Sequence, residues 1–103
     1  MNRKEILETA AKYTTVDREQ QYGSPEDNFR IIANLWNVYL GDDGNLTPED
    51  VAIMMALLKI GRIASGQIKE DNYIDLAGYA ACAGEIATGS HPTFERDPFE
   101  VIN

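Results

Sequence analysis

The sequence predicts an all-α fold, a compact bundle of about four helices followed by an irregular C-terminal tail. Three observations predict it. Apolar residues recur at helical spacing, as in Phe29, Ile32, Trp36 and Tyr39. Two start signals of the same chemistry, Ser24-Pro25-Glu26-Asp27 and Thr47-Pro48-Glu49-Asp50, place a hydroxyl at the N-cap, proline at the first helical position and acids in the first turn. No segment shows the two-residue alternation of a half-buried strand.

The first helix is expected over residues 3 to about 16, where Ile6, Ala10 and Tyr13 share a face with Leu7 and Ala11 beside them. Tyr22-Gly23-Ser24-Pro25 is a stop and turn. The second helix opens at Ser24 and carries Phe29, Ile32, Trp36 and Tyr39 on one face, widened by Ala33 and Leu40, with Trp36 read as core. Gly41-Asp42-Asp43-Gly44 ends it. The third helix opens at Thr47, and Gly66 supplies its stop. The two openings align, but the shared letters are capping chemistry rather than an internal repeat. The fourth helix is expected from near Asp71, with Asp71 itself a candidate N-cap, to about Thr88, before Gly89. It is rich in alanine and glycine, and Gly78 at its centre costs about 1 kcal/mol against alanine, so a helix or a ligand is expected to approach closely there. Residues 1–89 thus read as one helical domain. The tail 90–103 carries Phe94, Phe99, Val101 and Ile102 and is expected to lie on the body or on a neighbouring subunit.

A chain of 103 residues fits one small domain. No run approaches the ~20 apolar residues of a membrane span, and MNRKEILET lacks the pattern of a signal peptide, so a cytoplasmic protein is expected. Cys82 is the single cysteine and His91 the single histidine, which leaves no internal disulfide and no thiolate or histidine metal cluster. A net charge of −8, with no clustering of Lys and Arg, argues against a nucleic-acid polymer as partner. A small anionic ligand remains compatible, because it needs only two or three local cations.

The third helix is apolar on almost every side, from Val51 to Ala64, and a helix of that kind is normally buried. Three neighbours barely supply such cover, so a homodimer or larger oligomer with the third and fourth helices at the interface is the economical expectation. Met54 and Met55 fit a partner's surface or the core equally. Lys59 and Arg62 nonetheless sit inside this helix on one side, and Asp71, Asp75 and Tyr79 share a face of the next. Two readings follow. Arginine presents a planar fork and lysine a point charge to phosphate oxygens, Tyr22 and Tyr79 offer stacking surfaces, Asn28 and Asn72 offer edge-reading amides, and the set makes a nucleotide pocket without a nucleophile or general base. Alternatively, Lys59 and Arg62 simply pair with Asp71 and Asp75 across the helix seam, while Asp50 and Asp27 serve as caps.

The order Arg18, Tyr22-Gly23, Pro25, Asn28-Phe29, Ala33, Leu35-Trp36, then Asp50-Val51, Met54-Met55, Lys59, Arg62, then Asp71, Asp75, Gly78-Tyr79 resembles a family of small phage and prophage proteins of uncharacterised function. It is also similar to the nucleotide-modification-associated domain of phage genomes, and more loosely to the all-α nucleoside-triphosphate pyrophosphatases of the MazG and dimeric dUTPase type. The resemblance covers roughly residues 15 to 85 and adds Arg18 to the ligand-binding set. The pyrophosphatases hold Mg²⁺ on carboxylates from two adjacent helices. Asp71 and Asp75 fit one half of that arrangement, whereas Lys59 and Arg62 stand where the other acidic pair is expected. The expected function is therefore a phage-type nucleotide-binding protein without a complete catalytic set, one role for which is to sequester a nucleotide signal of host defence. The alternatives are a Mg²⁺-dependent nucleotide pyrophosphohydrolase, with Asp71 and Asp75 on the metal, and a protein-interaction module without a small ligand.

Overall fold

A computed structural model of the protein describes residues 1–17 and 23–89. It contains α1 (Arg3–Lys12), a π-helical segment (Tyr13–Asp17), α2 (Pro25–Leu40), a 3-10 turn (Gly41–Asp43), α3 (Pro48–Ala64) and α4 (Glu70–Ala87), with no strand among the described residues. The all-α, four-helix expectation is met. The tail 90–103 lies outside the described residues, as does His91.

Local chemistry accounts for the helix ends. Asn2 and Glu5 form a capping box on α1, and Thr47 and Asp50 form one on α3, where Asp50 Oδ2 accepts from the Thr47 amide at 2.9 Å. The Ser24 hydroxyl accepts from the Asp27 amide at 3.2 Å to cap α2. The capping role expected of Asp50 is thus present, whereas Asp27 gives only its backbone amide to the Ser24 cap and its carboxylate accepts from Arg30 at 3.1 Å. Past α3, Gly66 takes φ +98 and the Gln67 amide donates to the Arg62 carbonyl, a Schellman closure that reverses the chain into α4.

Two expected boundaries move. The first helix does not continue regularly to residue 16 but widens into the π-helical segment after Lys12. The Thr14 and Thr15 hydroxyls donate back to the Ala10 and Ala11 carbonyls at 2.9 and 2.6 Å, competing with the regular ladder. The fourth helix starts at Glu70, one residue before Asp71, with Lys69 at the N-cap and no side-chain cap. Asp71 is therefore a first-turn acid rather than the cap. The start is fixed instead from inside the helix, where the buried Asn72 amide donates to the Gln67 carbonyl at 2.8 Å.

α3 and α4 form a hairpin and the most extensive helix pair; α2 packs on α3, and α1 packs on α4. The N-terminal ammonium lies 2.6 Å from Glu70, whose carboxylate accepts from it and raises its pKa above the ordinary value, tying the start of α1 to the start of α4. The core is small: Phe29 and Ala33 of α2, Val51 and Ala52 of α3, and Ala83 and Ile86 of α4, flanked by half-buried Trp36, Met55, Tyr79 and Cys82. Gly78 meets the close approach its position implied. A Cβ there would stand 2.9 Å from Thr14 Cγ2, so the missing side chain lets the π-helical segment settle on α4.

α3 is covered on one side only. Val51, Ala52, Ala56 and Lys59 face the body, whereas Ile53, Met54, Leu57, Leu58 and Ile60 are 39–58% exposed. Met55 joins the core and Met54 does not.

Candidate functional site

The hairpin geometry sets residues of α3 against residues of α4 at equal distance from the connecting loop, and this brings Lys59 opposite Asp75. Lys59 is 9% exposed, the single charge on the inward side of α3 between Val51 and Ile60. Its Nζ lies 2.8 Å from Asp75 Oδ2, with the two side chains 11% and 38% exposed. The pair therefore sits at the edge of the interior, the cation within and the carboxylate reaching outward.

Beside Asp75 lies a recess of about 60 Å³, walled by Tyr13 and Thr14 of the π-helical segment, Phe29 of α2, and Gly78, Tyr79 and Cys82 of α4. Tyr79 follows Asp75 by one turn, and its ring lies 6.2 Å from that of Phe29 at 47°, a tilted aromatic contact that fixes one wall. The recess has room for only a few waters, since ~10–15 Å³ of such cavity volume suffices for one. A ligand larger than a few waters sits at its mouth or displaces the π-helical segment.

The remaining sequence-derived candidates are dispersed. Arg62 and Asp71 are both exposed, and no ion pair joins them among the described residues. The seam pairing is thus realised for Lys59 with Asp75 and not for Arg62 with Asp71. Asn72 is buried with its amide committed to the Gln67 carbonyl, and Asn28 is half-buried in the first turn of α2. Arg18 and Tyr22 lie outside the described residues. No group of three or more His, Cys, Asp or Glu side chains is placed to hold a metal ion among the described residues. Asp75 faces Lys59, and Asp71 stands on the surface one turn earlier.

Sequence reasoning missed two features. Glu26 is 4% exposed and accepts from Arg30 at 2.8 Å, while Arg30 also reaches Asp27 at 3.1 Å. The signal was present as an acid four residues before a base on one helix face. Tyr13 and Thr14 form the outer wall of the recess, and the run Thr14-Thr15-Val16, β-branched throughout, marked the place where a regular helix gives way.

Fold and site together define a small all-α bundle with one charged pair set into an otherwise apolar helix seam. The chain belongs to the family DUF6378, a domain of unknown function, which matches residues 5–87. It is similar to the Gene 55 protein of Mycobacterium phage L5, 41% identical over 93 residues that make up 90% of this chain and 57% of that protein. It is also similar to the Gene 55 protein of Mycobacterium phage D29, 38% identical over 81 residues, 79% of this chain and 52% of that protein. The chain thus spans about half the length of these phage relatives. No solved structure matches it. The resemblance to phage proteins of uncharacterised function holds at the level of the family, and neither the family's description nor the relatives' names state an activity. No described helix is long and apolar enough to cross a membrane.

Proposed function

We propose that the chain binds a small phosphate-bearing ligand, a nucleotide, at the seam of α3 and α4 without turning it over. The observation that carries this reading is Lys59, a buried cation in the most apolar helix of the fold, 2.8 Å from Asp75 beside an aromatic recess. Stability gives little reason for it. A buried ion pair replaced by apolar side chains of similar volume usually leaves a protein as stable or more so. A buried cation held on a carboxylate that lines a recess is, by contrast, an arrangement suited to recognising an anionic ligand. An ammonium has three donors, so Lys59 retains donors for a phosphate oxygen while keeping Asp75. Arg62, exposed on the next turn of α3, supplies a planar fork for a second oxygen. Tyr79 and Tyr13 border the recess with aromatic surface for a base or sugar.

Hydrolysis finds less support. The Mg²⁺-dependent alternative asks Asp71 and Asp75 to share one ion, yet Asp75 faces Lys59, Asp71 stands exposed, and no group of three or more His, Cys, Asp or Glu side chains is placed to hold a metal ion among the described residues. A protein that binds a nucleotide and leaves it intact lowers its free concentration. The matched relatives are mycobacteriophage proteins, and in an infected cell such binding would sequester a host nucleotide signal.

The test is a thermal-shift screen against nucleotides and cyclic nucleotides, with and without Mg²⁺, followed by recovery of the ligand. A ligand binding only the folded state raises stability by about 2.7 kcal/mol at a hundredfold excess over Kd. A metal-independent shift with the nucleotide recovered intact, abolished by Lys59→Met, is the expected result. A shift that requires Mg²⁺ with pyrophosphate released, or no shift with any nucleotide, overturns the reading.

A further inference from the structure

The outer sides of α2 and α3 are apolar where a surface should be polar. Of the fifteen large apolar side chains exposed among the described residues, ten lie on these two helices, five on each. On α2 they include Leu35 at 63%, Val38 at 80% and Tyr39 at 91%; on α3, Met54 at 39% and Leu57 at 58%. A groove between the helices, lined by Trp36, Tyr39, Leu40, Leu46 and Met54, joins the two arcs into one surface. The charged residues of α2 are confined to its N-terminal half, where Glu26, Asp27 and Arg30 pair with one another. α3 is inverted, with its charge at Lys59 facing inward and its apolar arc facing out. A helix in water shows the reverse arrangement.

We propose that this face is the interface with a second copy of the same chain. Ten half-exposed side chains of this size present on the order of 1,000 Å² of apolar surface. The largest apolar patch on a typical monomer is ~300–600 Å², and a standard interface needs ~800 Å² from each partner. One such face therefore suffices for a stable pair. The face carries no charge between Asp50 and Arg62 on α3 and none between Arg30 and Asp42 on α2, so two copies meet without burying like charges. The chain as a whole is at −8, and an uncharged patch is where two such chains approach with least repulsion. Two-fold pairing sets the same residues of both copies against each other and closes the assembly, leaving no apolar face outside. The proposal does not rest on nucleotide binding, because Lys59 and Asp75 lie on the opposite side of α3.

Sedimentation of the full chain tests it. The expected wild-type species has twice the 11.5 kDa chain mass, and Leu57→Lys and Val38→Lys each return it to the single-chain mass with the helical circular dichroism intact. Val38 is the safeguard against simple unfolding, since its side chain has little of its own fold to lose. Leu7→Lys, an equally exposed apolar position on α1 at 60%, leaves the doubled mass unchanged. A wild-type chain of single mass overturns the proposal and makes residues 90–103, or a different protein, the occupant of the face. A doubled mass that survives both lysine substitutions also overturns it.

Discussion

At the scale of single residues, the Lys59–Asp75 pair makes an asymmetric prediction. Asp75→Asn leaves a buried ammonium facing a neutral amide. Removing one partner of a fully buried pair costs ~3–5 kcal/mol, and because the Asp75 side chain is 38% exposed and part of the interaction is screened by water, a loss of about 2 kcal/mol is expected here. Lys59→Met removes the interior charge and leaves a carboxylate that water already reaches, so stability is expected to stay within ~1 kcal/mol of wild type. Urea unfolding midpoints of the two variants distinguish this from a pair held by mutual attraction alone, for which both substitutions cost the same. The asymmetry also makes Lys59→Met a clean probe of ligand binding, since the folded protein survives it. Gly78 supplies a second case. Alanine there gains about 1 kcal/mol of helix propensity, but its Cβ would stand 2.9 Å from Thr14 Cγ2, and Thr14 is held in place by its hydroxyl bond to Ala10. Crowding of this kind costs ~1–3 kcal/mol, so Gly78→Ala is expected to be destabilising by about 1 kcal/mol. Thr14→Ser removes the methyl and keeps the hydroxyl, and the double variant is expected to be more stable than Gly78→Ala alone. Equal stability of the two would show that the contact exerts no strain.

At the scale of elements, the helix ends are set by short-range chemistry, and that is why they were legible. Ser24 and Thr47 cap, Pro25 and Pro48 open, and Gly66 and Gly89 take the left-handed conformation just past the helices they close. Each signal lies within a few residues of what it controls. The connection between α2 and α3 was legible only as a break. Its form depends on Asn37, nine residues before Leu46, whose side chain donates to the Leu46 carbonyl at 3.0 Å and accepts from the Leu46 amide at 2.8 Å. Gly44 passes so close that a Cβ would stand 2.5 Å from the Asn37 carbonyl oxygen. Asn37→Ala strips both bonds from a half-buried loop and is expected to cost about 2 kcal/mol. Leu46 amide exchange, rising in step with that loss, is the measurement that checks it; an unchanged exchange rate would mean the loop holds its shape without Asn37. The candidate site was legible in part for the same reason of range. Lys59 and Asp75 were chosen from helical spacing, but which of the two cations would meet a carboxylate depends on the register of the α3–α4 hairpin. A pattern along one helix does not encode that register. The Tyr13 and Thr14 wall depends on a departure from regular helix that no periodicity expresses.

At the scale of the whole molecule, the inverted character of α3 organises the rest. Its inward side carries a cation and its outward side from Ile53 to Ile60 carries none, so the apolar pattern from Val51 to Ala64 satisfies two separate demands, packing within the chain and cover from outside it. Read along the sequence, the two demands superimpose and look like one buried helix. Only the placement of α2 and α4 separates them. A consequence for stability follows if the outer face is closed by a second copy. Unfolding then releases two chains from one folded pair, and mass action makes the melting temperature rise with protein concentration. The wild-type chain is expected to show that rise. Val38→Lys, which places a charge at an 80% exposed position on the face, is expected to melt lower and at a temperature independent of concentration. Salt separates this from charge-mediated association: a surface without charges holds its partner as well at high ionic strength as at low, whereas an electrostatic contact between chains at −8 would strengthen or weaken with screening. A wild-type melting temperature flat across concentration would mean that α3 meets water along its apolar side in the isolated chain. The cost of that exposure would then have to be met by residues beyond Gly89 or by a partner of a different kind.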